Sequence, residues 1–115
     1  MQAEQNTQWT TICKQNELSP NAGTCAQFND QQVAIFFCKR SNNVYAVANF
    51  DPIGQANVMS RGIMGSTEGQ TYVASPLYKQ RFDLVTGECL ESPLHTLKTY
   101  QVRVANDDIQ LKEVS

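Results

Sequence analysis

The chain holds a single histidine, His95, in 115 residues, and that scarcity removes most imidazole chemistry. A Ser–His–acid triad needs its histidine beside a nucleophile, whereas His95 follows Pro93 and Leu94 in a connecting stretch. It reads as a surface or hydrogen-bonded loop residue rather than a base, and a histidine metal site lacks its further ligands. The four cysteines, Cys13, Cys25, Cys38 and Cys89, stand singly. No CxxC or CxxxC occurs, so zinc ribbons and simple cysteine-ligated iron–sulfur sites lack their spacing. Disulfides are not expected in a reducing compartment, and the thiols read as small buried hydrophobes.

Long hydrophobic runs are missing too. The most apolar stretch, residues 33–38 (VAIFFC), is far too short to cross a bilayer. The start, MQAEQNTQW, has neither the basic region nor the apolar run of a secretory signal, so a cytoplasmic protein is expected. Nine Lys and Arg are scattered over a chain of net charge −2, which disfavours nucleic acid and anionic membranes as partners. Helical periodicity is absent over any ten residues. Gly62, Gly65 and Gly69 therefore do not make a phosphate loop, which would have to open a helix.

What remains is β-structure. An apolar share of 41% with 17% charged residues suits a globular domain rather than a disordered chain, and the length suits one domain, residues 1–115. Strands are expected over residues 9–13, 23–28, 32–39, 44–48, 70–74, 81–84, 88–90, 99–104 and 109–111. Residues 32–39 (QVAIFFCK) form a near-continuous apolar run, as in a strand covered on both faces. Turn chemistry sits at Asn29-Asp30, Ser41-Asn42-Asn43, Thr86-Gly87 and Asn106-Asp107-Asp108. Residues 49–69 carry no pattern and four glycines, and read as a long loop. The carboxylates near it, Asp51, Glu68, Asp83 and Glu88, read as turn caps and surface charge rather than an acid–base pair. The fold class is all-β, an antiparallel sandwich or small barrel with an inserted mid-chain subdomain.

Two stretches carry a resemblance: VANFDP (residues 47–52) and YVASPLYKQRFDLVTGEC (residues 72–89). Together with Pro93, Leu97 and the strand YQVRV (residues 100–104), they resemble the Rieske-type [2Fe–2S] domain over nearly the whole chain. Such domains take two thiolates and two imidazoles as ligands. The resemblance implies a Rieske-like fold with a cluster-binding-like subdomain over about residues 49–90. It places Asn49 and Ser75 where cysteines would be, and Asp51 and Tyr78 where histidines would be. All four ligand positions are replaced, so no metal, catalytic or cofactor-binding residue is expected in this chain. Oxygen ligands are poor substitutes for thiolates around iron–sulfur chemistry.

Ligand-free Rieske-like chains of this length look like the small subunit of NADH-dependent assimilatory nitrite reductase, the NirD type. That likeness implies an accessory subunit of a cytoplasmic oxidoreductase, with no catalytic centre of its own. Its large partner subunit would carry FAD, sirohaem and an iron–sulfur cluster and reduce nitrite to ammonium. The alternatives are a stand-alone Rieske-fold binding or regulatory module, and a [2Fe–2S] electron-transfer ferredoxin. In the vacated loops, Asn49, Asp51 and Ser75 are expected to cap turns, while Phe50, Leu77 and Tyr78 are expected to fill the cluster's space. The refilled tip with the glycine loop is one candidate docking surface, and the sheet face is the other.

Overall fold

In the structure, a computed structural model, residues 8–113 are described, and they form eleven strands and two short 3-10 turns with no α-helix among them. Six strands make one antiparallel sheet in the order β1-β11-β10-β4-β3-β2: β1 Thr10–Lys14, β2 Gly23–Phe28, β3 Gln31–Cys38, β4 Asn43–Ala48, β10 Thr99–Ala105 and β11 Asp108–Glu113. The outer strands β1 and β2 approach each other, so the sheet nearly closes on itself. Inserted between β4 and β10 is the tip. It contains a minimal pair, β5 Phe50–Asp51 with β6 Ala56–Asn57, and a three-stranded sheet of β7 Ile63–Thr67, β8 Gln70–Ala74 and β9 Arg81–Asp83.

Turn chemistry sets the hairpins. Asn29-Asp30, Glu68-Gly69 and Asn106-Asp107 each place two consecutive residues at positive φ between paired strand ends, the mirror-image turn that matches strand twist. The Glu68-Gly69 hairpin lies inside the segment expected to be a loop. Residues 49–69 instead hold three short paired strands, β5, β6 and β7, and a 3-10 turn at Met59–Arg61. The reason is that these elements are too short and too polar to show alternation. Residues 88–90 are also less regular than expected. Only isolated bridges form there, Phe82 with Cys89 and Glu88 with Thr96.

Strand β3 is the hinge between two cores. Ala34 and Phe36 enter the cluster shared with Val47, Met59, Val73, Phe82, Leu84, Cys89 and Leu97, between the large sheet and the tip. Val33 and Ile35 enter the other, with Leu18, Phe28, Ala46, Tyr100, Ile109 and Leu111, inside the curled sheet. All four residues from Val33 to Phe36 are fully buried, as an apolar run covered on both faces should be. Burying a ring such as Phe36 or Phe82 stabilises by roughly 1.5–3 kcal/mol.

Other expectations divide. Trp9 lies just outside β1, and its ring is covered by two cations, Arg103 at 4.5 Å and Lys112 at 4.8 Å. Strand β1 also carries an irregularity between Thr11 and Cys13, where its register against β11 shifts. Of the thiols only Cys89 is buried. Cys25 is exposed on β2, and Cys13 and Cys38 are half-buried. Strands that face solvent on one side leave a small residue in the open half the time, so residue type alone misplaces them.

Candidate functional site

The first tip loop begins at Asn49, directly after β4, and every polar group of that residue is engaged. Its backbone N–H donates to the Gln32 carbonyl at 3.0 Å, and its own carbonyl accepts from Met59 N–H at 3.0 Å. The side-chain oxygen accepts from Ser60 N–H at 2.7 Å, and the amide nitrogen donates to Gln32 Oε1 at 2.9 Å. Asn49 is buried, so each bond replaces water that it could not otherwise reach. A sulfur also lies close: Cys25 Sγ is 3.7 Å from the same amide nitrogen. Gln32, Ser60 and Cys25 were not legible as neighbours of Asn49, because they lie 11 to 24 residues away in sequence.

Two residues on, Asp51 is fully buried. Its Oδ1 accepts from the N–H of Ile53 at 2.8 Å and of Gly54 at 3.0 Å, and its backbone carbonyl accepts from Gln55 N–H. This is an Asx turn, the local alternative to a strand that a short carboxylate offers. Oδ2 accepts from the hydroxyl of Ser75 in the second loop at 2.5 Å. Ser75 is buried in turn. Its Oγ accepts from Leu77 N–H, its N–H donates to the Gln80 carbonyl, and its carbonyl accepts from Lys79 N–H. Gln55 and Lys79 sit at positive φ of 61° and 66°, a conformation uncommon for such residues that closes both turns.

Asp83 repeats the device at the end of β9, in the three-stranded sheet of the tip. Its Oδ1 accepts from Val85 and Thr86 N–H at 2.7 and 3.0 Å, while Oδ2 accepts from Gln70 Nε2 at 2.9 Å. Both motifs read Phe-Asp followed by a turn, and in both the carboxylate binds backbone. Neither pairs with another acid for proton transfer. His95 behaves as expected: its Nδ1 lies 3.1 Å from Ser92 Oγ, within its own connecting loop.

One expectation is overturned. Phe50, Leu77 and Tyr78 do not fill a vacated cavity: they are 42%, 43% and 64% exposed. The space between the loops is closed by the Asp51–Ser75 bond and by close approach at Gly54, where a Cβ would sit 2.4 Å from Leu77 Cδ1. Short polar side chains bring the two loops together, and the large apolar residues are turned outward. Phe50 alternates with Asp51 along β5, so burying the carboxylate necessarily exposes the ring.

The cysteines differ in chemical character. Burial raises the Cys13 thiol above its ordinary value, while hydrogen bonding from Ser41 lowers that of Cys38. Cys89 is packed in the core cluster beneath the tip, well behind the loop that carries Ser75 and Tyr78. Among the described residues no three His, Cys, Asp or Glu side chains converge on a common point.

The comparisons with known proteins cover almost all of this. A protein-family model described as a Rieske-like [2Fe-2S] domain matches residues 8–112. The nitrite reductase (NADH) small subunit of Escherichia coli K12 is 43% identical over 105 residues, which are 91% of this chain and 97% of that one. The NMR structure of the Escherichia coli protein NirD superposes with a TM-score of 0.84 at 42% identity, covering 94% of this chain and 98% of that one. The nitrite reductase [NAD(P)H] large subunit of Klebsiella oxytoca contains a stretch 35% identical over 101 residues, 88% of this chain but 10% of that protein.

Proposed function

The chain belongs to the Rieske-like [2Fe–2S] domain family, in the branch of nitrite reductase (NADH) small subunits, and from that premise we propose that it serves as the accessory subunit of a nitrite reductase. The reaction is the NAD(P)H-dependent reduction of nitrite to ammonium. The carrying observation is the likeness to a small subunit along 97% of that protein's length, not merely to a shared fold. Catalysis falls to the large subunit, which brings FAD, sirohaem and an iron–sulfur cluster. The complex works in the cytoplasm, and the described residues contain no helix long and apolar enough to cross a membrane.

Within that complex the chain acts as one Rieske-like unit, residues 1–115, whose tip subdomain of about residues 49–90 carries no cluster. The donor set supports this part of the reading. A Rieske centre takes two thiolates and two imidazoles. At the four corresponding positions stand an amide, a carboxylate, a hydroxyl and a phenol. Three of these, on Asn49, Asp51 and Ser75, are already saturated by hydrogen bonds, and Tyr78 faces solvent. The one nearby thiol, Cys25, has no second sulfur and no imidazole beside it. These residues do not fit the cluster, and no electron path through this chain follows from them.

Co-expression with the large subunit tests the assignment. The two chains should co-purify, and nitrite reduction by NADH should be lost when this chain is withheld and restored when it is added back. A large subunit that neither binds this chain nor changes its activity would sink the reading.

A further inference from the structure

Resting on that reading, we infer that the tip rim of the domain is the surface that seats on the large subunit: loops 50–55 and 75–80, with the groove beside Phe50. Three observations carry it. The first is composition. Across FDPIGQ and SPLYKQ there are two charged residues, and one of them, Asp51, is fully buried. Lys79 is the single charge that faces solvent, while Phe50, Leu77 and Tyr78 are exposed around it. Depletion of charge with exposed aromatic residues is the composition of an interface core rather than of an ordinary surface.

The second is rigidity. The exposed side chains are mounted on loops braced by hydrogen bonds to buried Asp51 and Ser75, with two non-glycine residues, Gln55 and Lys79, at positive φ. Turns held this firmly present their side chains in one geometry, which lowers the ordering cost of association. The groove beside them continues the surface. Its lining includes the neutral Gln27, Gln31, Phe50 and Pro52 with one charge of each sign, Asp30 and Lys98, and it shares Phe50 and Pro52 with the first loop. Leu77, lying against Gly54, joins the second loop to the same surface.

The third identifies the occupant. In the Klebsiella oxytoca relative, a domain like this one makes up 10% of the large-subunit polypeptide itself. Whichever end carries the rest of that protein, the tether must leave from where the matched chain starts or stops. Among the described residues, the start of β1 and the end of β11 both lie at the tip rim of the six-stranded sheet. Thr10 pairs with Leu111, and Glu113 lies opposite Tyr100, at the start of β10 and next to the end of β4. Glu113 further accepts from Asn29 at 3.1 Å and pairs with Lys98 at 3.1 Å, and Lys98 lines the groove. A covalent junction there puts the body of the large subunit on the tip side. The opposite rim, with the Asn106-Asp107 turn, points away from it.

The experiment measures binding of the full chain to the cofactor-loaded large subunit. Phe50→Asp, and the double change Leu77→Asp with Tyr78→Asp, should each weaken the complex about tenfold or more. Val104→Asp, on an exposed residue of β10 near the opposite rim, should leave it within about twofold. Hydrogen exchange on the unsubstituted complex should show protection in 50–55 and 75–80, a readout that does not depend on any variant folding. A wild-type chain that fails to bind at all refutes the functional reading. A wild-type chain that binds, with tip variants unaffected and protection confined to residues 104–108, refutes the tip alone. Tip protection that arises only from a second copy of this chain refutes it as well.

Discussion

The Ser75 hydroxyl donates to Oδ2 of Asp51 at 2.5 Å with both residues buried, and this single bond ties the two tip loops across 24 residues of sequence. A metal cluster would hold such loops by coordination; here a carboxylate holds them by accepting two backbone amides on one oxygen and a hydroxyl on the other. Hydrogen bonds to a charged acceptor are worth about 1.5–3 kcal/mol each, so Asp51 contributes substantially to holding the tip.

Removing either partner should therefore be costly. Asp51→Ala leaves the buried Ser75 hydroxyl and two half-buried amides, of Ile53 and Gly54, without their acceptor, and should destabilise by about 3–5 kcal/mol. Ser75→Ala loses one bond and should cost about 1.5–3 kcal/mol. Urea denaturation ranks the two. Equal or negligible losses would show that the loops are held by packing.

Phe82 is fully buried between the large sheet and the tip. Phe82→Ala should destabilise by about 3–5 kcal/mol, the transfer loss plus the cavity left behind. A change within ~0.5 kcal/mol would mean the core repacks freely around it, contrary to its position.

Two glycines share φ +83° but not surroundings. A Cβ at Gly69 meets nothing within 4 Å, so Gly69→Ala should cost only the left-handed backbone penalty, about 1–2 kcal/mol. At Gly87 the Cβ would lie 2.0 Å from the Leu97 carbonyl oxygen. Gly87→Ala should add about 1–3 kcal/mol of overpacking to the same penalty. Thermal melts of the pair separate strain from steric clash.

Glu113 closes β11 at the tip rim. Its carboxylate is held below its ordinary pKa, first by the Asn29 amide and then by Lys98. A lowered folded value means the stability is present above the ordinary carboxylate range, about 4.3, and is lost as pH falls through the folded value. Glu113→Gln should flatten the loss of stability between about pH 5 and 3, by ~0.2–1 kcal/mol for so exposed a pair. An unchanged acid limb would show that these contacts contribute nothing to folding.

Iron content gives the most direct check on the tip. Purified without the large subunit, the chain should contain no stoichiometric iron and no visible absorbance band, because its saturated oxygen and amide donors do not suit a [2Fe–2S] centre. A coloured, iron-containing preparation would overturn the reading of Asn49, Asp51 and Ser75.

Strands with strong local signals, and the chemistry of the four ligand positions, are legible in the amino-acid order. The run at 33–36 could only be a strand covered twice, and Asn29-Asp30 and Asn106-Asp107 could only be tight turns, because alternation and turn propensity act over two to four residues. Whether a thiol or an imidazole occupies a position is likewise written in the chain. The tertiary structure alone decided who meets whom. Asn49 finds Gln32 and Ser60, Asp51 finds Ser75, and Cys25 comes to rest beside them, all through strand pairings that no local pattern encodes. It also decided which side chains face out. Phe50, Leu77 and Tyr78 are apolar by sequence and exposed by structure. Short polar groups close the gap between the loops through directional hydrogen bonds, which leaves Phe50, alternating with buried Asp51 in β5, and the adjacent turn residues Leu77 and Tyr78 facing outward.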